Sequence, residues 1–184
     1  WGQTVKDMLI ISGTGGGVGT NYSPIRPRGT PIKGTGGEAT GAVSLMEIIN
    51  QTGEVIKAGG GRRTALMMCL RYDHADIMEF LNAKLDLERL NNANVSVLVD
   101  DDFFKQVENN EDIVLKFRDR PVLDSEGNER TIPAQELWDK IIENSYESAE
   151  PGILNIGLAN KMNNIHYYKP LIATNPCGEI WLES

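Results

Sequence analysis

Apolar positions along the chain fall at helical spacing, switch to alternation, and switch back several times. Trp1, Val5, Met8, Leu9 and Ile11 in WGQTVKDMLII share one helical face, and the glycines from Gly13 to Gly19 stop that helix. A second helical pattern runs through AVSLMEIINQTGEVIKAG, with Val43, Met46, Ile49 and Ile56 apolar, and GGGRR ends it. TALMMCLRY predicts a short buried strand, ADIMEFLNAKLD a helix and NVSVLVD an alternating strand, while Asp100 to Asp102 with Phe103 open another helix. VLDSEGNERTIP predicts a hairpin or surface loop around Glu126-Gly127-Asn128. AQELWDKIIENSYES sets Leu137, Trp138, Ile141 and Ile142 on one face of an amphipathic helix, and GILNIG after Pro151-Gly152 predicts a strand. Strands and helices alternate without an internal repeat or low-complexity tract, which predicts an α/β fold with a largely parallel sheet. Periodicity does not distinguish an open sheet from a closed barrel.

Composition narrows the partners. The 184 residues, 40% hydrophobic, are enough to bury a core as one domain or one large piece of a domain. A formal charge of −8 with no basic run argues against a nucleic-acid polymer and leaves small nucleotides open. No apolar run approaches the roughly 20 residues of a membrane span. The N-terminus lacks the charged and small-residue pattern of a signal peptide, so a cytoplasmic location and no membrane contact are expected. Cys69 and Cys177 lie in no CxxC or Cys/His cluster of metal-ligand spacing, so neither a disulfide scaffold nor a metal site is expected.

The candidate chemistry sits in ATNPCGEI. Asn175, Cys177 and Glu179 place an amide, a thiol and a carboxylate within five residues, a fixed donor and acceptor beside a general base. The plain alternative is a small buried Cys177 in an ordinary Asn-Pro turn, with Glu179 facing solvent. Cys69, in a buried strand, reads as structural. The glycines before Val18 invite a dinucleotide-binding reading, yet a helical pattern precedes them and SPIRPRGTPIKGTGG follows, the reverse of the strand-then-helix context required.

SGTGGGVGTNYSPIRPRGTPIKGTGG, GGGRRTALM, HADIMEFLNAK, NVSVLVDDDF, PGILNIG and TNPCGEI, in this order, resemble the large catalytic subunit of ribonucleotide reductase nearly end to end. NPCGE is most similar to the adenosylcobalamin-dependent class, whereas the class with a separate radical-generating subunit more often has leucine after the Asn. The resemblance implies a ten-stranded α/β barrel with a central finger loop. Residues 1–184 would be the N-terminal portion of that barrel, with effector and dimer helices over about 1–57 and the finger loop over about 173–181.

The same resemblance implies roles for individual residues. Pro176 and Gly178 hold a tight turn while Asn175, Cys177 and Glu179 converge on one ribose. The Cys177 thiyl takes the 3′ hydrogen, Glu179 accepts the 3′-hydroxyl proton, and Asn175 orients the sugar hydroxyls. Gly17 contacts substrate through its backbone. Arg26 and Lys33 grip a deoxynucleoside triphosphate effector, and Gly59, Gly60, Gly61, Arg62 and Arg63 form a specificity loop between effector and substrate. Surface turns, a glycine-capped helix end and ordinary solvent-facing charges are the plain counterparts of these last readings. Adenosylcobalamin, a thioredoxin-like reductant and a homodimer are implied as cofactor and partners, and supply of deoxyribonucleotides for DNA synthesis as the purpose. The family's redox cysteine pair, its later phosphate-binding strands and a cobalamin module do not occur in these residues, so an incomplete barrel without turnover of its own is expected. A regulatory nucleotide-binding domain, a reductase needing a separate radical-generating subunit, and a dehydrogenase are the other readings.

Overall fold

The computed structural model describes residues 1–58, 62–86 and 89–183. In chain order the elements are α1 (Gly2–Gly13), β1 (Gly17–Asn21), α2 (Ala42–Val55), β2 (Lys57–Ala58), β3 (Arg62–Arg63), β4 (Ala65–Arg71), α3 (Ile77–Ala83), β5 (Asn94–Val99) and α4 (Asp101–Glu108). There follow β6 (Asp112–Val114), β7 (Lys116–Phe117), β8 (Arg120–Pro121), β9 (Thr131–Pro133), α5 (Ala134–Ser148), β10 (Gly152–Asn155), α6 (Ile156–Met162), β11 (Ala173–Thr174) and β12 (Trp181–Leu182).

The centre is a four-stranded sheet in the order β1-β4-β5-β10, every neighbouring pair parallel. Among the described residues it is open, with β1 and β10 as its edges, and no closed barrel is formed. Side chains alternate across the strands. Leu66, Met68 and Leu70 of β4 and Val95, Val97 and Val99 of β5 join the main core with Met46, Ile49, Phe80, Phe103 and Leu137 of the helices. Met67, Cys69 and Leu98 point the other way and form a smaller cluster with Leu154 and Ile156. Burial on both faces is what parallel strands require, and it explains the nearly continuous apolar run of ALMMCL.

The helices start where local chemistry satisfies their free N–H groups. Asp100 caps α4, its carboxylate accepting from the Phe103 N–H at 3.2 Å, and Asp101 and Asp102 complement the first-turn dipole. Helix α2 has only Gly41 at its cap, and the missing acceptor comes from the next βα turn. The buried Asp76 carboxylate takes the Ala42 N–H at 2.9 Å and the Arg28 N–H at 3.0 Å, while His74 Nε2 bonds the Ile25 carbonyl at 2.9 Å. These contacts fasten the long connection between β1 and α2 to the C-terminal end of the sheet. His74 therefore carries its proton on Nε2, because Nδ1 accepts from the Asp76 N–H at 3.1 Å.

Two predicted elements differ in extent. The strand in GILNIG stops at Asn155, whose side chain accepts from the Leu158 N–H at 2.8 Å and starts α6. The helix in ADIMEFLNAKLD covers only Ile77–Ala83, beyond which the Lys84 ammonium satisfies the carbonyls of Leu90 and Ala93. Strand β1 lies inside the glycine run, where no apolar period marks it.

Candidate active site

ATNPCGEI folds as a hairpin. Ala173 and Thr174 of β11 pair antiparallel with Leu182 and Trp181 of β12, and Asn175-Pro176-Cys177-Gly178 makes the turn between them. The Gly178 N–H donates to the Asn175 carbonyl at 3.0 Å. Pro176 supplies a preset φ, and Gly178 takes a left-handed φ of 84° that a side chain would disfavour. Asn175 closes the turn twice more: its N–H donates to the Ile180 carbonyl at 3.0 Å, and its Oδ1 accepts from the Ile180 N–H at 3.0 Å. Half of the amide is thus spent on the turn, which leaves Nδ2 as the part able to meet a ligand.

The hairpin lies on the face of the sheet opposite the helices, beside Met67, Leu98 and Leu154. It runs antiparallel to β1. The Asn21 Nδ2 donates to the Ile172 carbonyl at 3.0 Å at the C-terminal end of β1, and the Asn94 Nδ2, at the start of β5, donates to the Pro176 carbonyl at 2.8 Å. Cys177 accordingly projects at the N-terminal end of the strands. It is exposed, as is Glu179, while Pro176 beside it is buried. Of the plain alternative, the buried Cys177 is not found among these residues, while the solvent-facing Glu179 is. Cys69 is the inert one: burial pushes its thiol up to about 12, against a smaller opposing effect of a hydrogen bond from the Thr174 backbone.

The other predicted residues fall at two ends of the sheet. Gly17 starts β1 directly under the Pro176 ring. Arg26 is exposed at the opposite, C-terminal end, on a cleft of about 510 Å³ with Trp1, Ile32, Glu38, Phe117 and Arg118. Lys33 is exposed in the same connection between β1 and α2. Gly59, Gly60 and Gly61 lie outside the described residues; Arg62 and Arg63 form β3, pairing with β2 just before β4. Arg63 lines a cleft of about 290 Å³ with Glu54, Ile56, Asn91 and Asn92. Within one chain the structure brings Gly17 to the cysteine turn and leaves Arg26 and Lys33 a sheet length away from Arg63. Asn21 and Asn94 were not marked by sequence reasoning, since nothing local distinguishes an asparagine that bonds a loop far along the chain. Among the described residues no group of three or more His, Cys, Asp or Glu could hold a metal ion, and no helix is long and apolar enough to cross a membrane.

The chain is an α/β domain, an open parallel sheet with helices on one face and a cysteine-tipped hairpin across the other. The sequence matches the family described as "Ribonucleotide reductase, barrel domain" over residues 2–184, and the chain belongs to that family. It is 38% identical over 180 residues to the vitamin B12-dependent ribonucleoside-diphosphate reductase of Thermoplasma acidophilum, covering 96% of this chain and 22% of that protein. It is 35% identical over 184 residues to the protein of the same name from Mycobacterium tuberculosis, covering 96% of this chain and 25% of that protein. The ribonucleoside-diphosphate reductase large subunit of Caenorhabditis elegans is 30% identical over 200 residues, with 97% of this chain and 25% of that protein covered. The chain thus spans about a quarter of the length of these relatives.

Proposed function

We propose that this chain is the part of a ribonucleotide reductase that carries the thiyl-radical cysteine, within a ten-stranded barrel completed by residues beyond these. The observation that supports this most is the turn itself: Cys177 is exposed on a fixed hairpin tip, with the Asn175 amide and the Glu179 carboxylate on either side of it. In the proposed reaction the Cys177 sulfur takes the ribose 3′ hydrogen atom. Glu179 accepts the 3′-hydroxyl proton as the 2′-hydroxyl departs as water, and the Asn175 Nδ2 orients the hydroxyls. The two electrons that complete the reduction come from a cysteine pair recharged by a thioredoxin-like reductant. Burial of Cys69 withholds it from that pair. Formation of deoxynucleotide from ribonucleotide by the complete protein is the test.

Adenosylcobalamin is the proposed cofactor by kinship with the B12-dependent relatives. The residues present offer it the Cys177 thiol, exposed at the hairpin tip. When bound it supplies the unpaired electron. The protein's part is to hold the thiol still and to present the carboxylate and amide beside it.

The Arg26 end of the chain is proposed to bind a deoxynucleoside triphosphate. Arg26, Arg118 and the exposed Lys33 surround or adjoin a cleft whose walls include the Trp1, Ile32 and Phe117 side chains, suited to phosphates and a base together. A homodimer supports coupling to the β2–β3 pair. Helices α1 and α2 expose Leu9, Ile10, Ile48 and Val55, and both run antiparallel to the strands. A second copy packed antiparallel on that face brings one copy's Arg26 end near the other's β2–β3 pair. Arg26→Ala is expected to weaken effector binding and remove effector-dependent substrate preference, a coupling of about 1–3 kcal/mol in typical allosteric proteins. The measurement is reduction of a mixture of the common ribonucleotides with and without each deoxynucleoside triphosphate. Normal switching at low effector concentration would reassign Arg26 to the dimer face.

A further inference from the structure

The glycines of β1 and the hairpin are matched residue by residue. The Asn21 Nδ2 bonds the Ile172 carbonyl, a Cβ at Gly19 would stand 1.6 Å from the Thr174 carbonyl oxygen, and a Cβ at Gly17 would stand 2.4 Å from the Pro176 Cγ. Each step advances two residues on the hairpin and retreats two on the strand, which is the period of side chains on one face of a sheet. At the far end the Asn94 Nδ2 holds the Pro176 carbonyl at 2.8 Å, and a Cβ at Gly178 would meet Leu154 at 3.6 Å and Met67 at 3.9 Å. Thr174 is fully buried. The obstacle at Gly19 is backbone on both sides, so no rotamer change relieves it.

We propose that Gly19 and Asn94 are positioning residues for Cys177: the glycine strand is a socket without side chains into which the hairpin seats, and Asn94 pins its tip. This assigns the glycine run a task besides any contact with nucleotide. Val18 packs into the core on the other side of β1, so the side of the strand that meets Thr174 and Pro176 carries only glycines. A methyl group at Gly19 must lift the hairpin by about 2 Å to restore ordinary contact with the Thr174 carbonyl. A misplacement of about 1 Å is enough to cost on the order of 10²-fold in a reaction that depends on alignment. Asn94 is exposed, so its truncation removes one hydrogen bond without opening a cavity.

The seat rests on geometry alone; its consequence for turnover rests on the reductase reading above. The test uses the complete protein with Gly19→Ala, Asn94→Ala and, as control, Gly13→Ala, whose Cβ meets nothing within 4 Å. Two quantities are measured: the alkylation rate by iodoacetamide of Cys69, which is fully buried against the Thr174 backbone and is reached only when the hairpin lifts, followed by mass spectrometry of its peptide, and kcat and KM for ribonucleotide reduction. Gly19→Ala should lower kcat by about 10²-fold with KM little changed. Asn94→Ala should raise the alkylation rate about five-fold, the factor by which loss of one neutral hydrogen bond shifts a local opening, and should lower kcat in the same sense. The control should change neither.

Wild-type alkylation and wild-type kcat in both variants would overturn the proposal, as would a rise in KM at constant kcat, which belongs to residues that merely bind substrate. Should Gly19→Ala fail to fold, Asn94→Ala decides. Should the wild type reduce no ribonucleotide, the reductase reading fails, while the alkylation ratio still decides whether the seat exists.

Discussion

Cys177→Ser in the complete protein is expected to yield no deoxynucleotide above background, with nucleotide affinity and folding unchanged. Serine differs from cysteine by one atom, and the turn that holds it depends on Pro176, the Gly178 conformation and the Asn175 bonds to Ile180, none of which uses the sulfur. An O–H bond is far harder to break homolytically than an S–H bond, so the hydroxyl is not converted to the radical that would accept the 3′ hydrogen atom. Product formation is measured by chromatography of the nucleotide pool, and affinity by equilibrium binding of the ribonucleotide. Turnover like the wild type would remove Cys177 from the reaction. A parallel loss of binding would make the substitution structural and the turn a binding element.

Glu179→Gln carries the second large effect. The amide keeps the length and shape of the carboxylate but cannot accept the 3′-hydroxyl proton, so kcat should fall by about 10²–10⁴-fold, the usual span for loss of a general base. KM should move much less. Among the described residues the Glu179 side chain makes no hydrogen bond that its replacement would break, and it is exposed, so the comparison isolates chemistry from folding. The split between kcat and KM is the measurement; a change confined to KM would assign Glu179 to binding.

The residues of this turn were legible in the sequence because their chemistry is local: an amide, a thiol and a carboxylate spaced around Pro176 and Gly178 announce a turn wherever it is placed. The helices and the inner strands were legible for the same reason, each carrying its own period. Strand β1 was not. Its positions are dominated by glycine, and the reason for glycine at residue 19 is a carbonyl at residue 174, which no window of sequence contains. Asn94 is invisible on the same ground, being a β5 residue whose partner is Pro176. The short β6–β9 and β7–β8 pairings run as hairpins too brief to show alternation. Asn155 shows a competition settled by one side chain: the apolar GILNIG pattern continues, but the cap at Leu158 turns the backbone into α6. The choice between open sheet and closed barrel depends on which edges find partners, and no local period in β1 or β10 encodes that.

The measurement that bears most directly on the central claim is reduction by the complete wild-type protein of a ribonucleoside diphosphate labelled with deuterium at C3′. Adenosylcobalamin and a dithiol reductant are supplied, alongside a reaction without the cobalamin. Deoxynucleotide should form only with the cofactor present, and kcat/KM should be lower for the labelled than for the unlabelled substrate, because the Cys177 sulfur takes the 3′ hydrogen. Product formed equally well without the cofactor would contradict the B12-dependent assignment. Absence of product, or product with no isotope effect on kcat/KM even in competition between labelled and unlabelled substrate, would contradict the account of Cys177 itself.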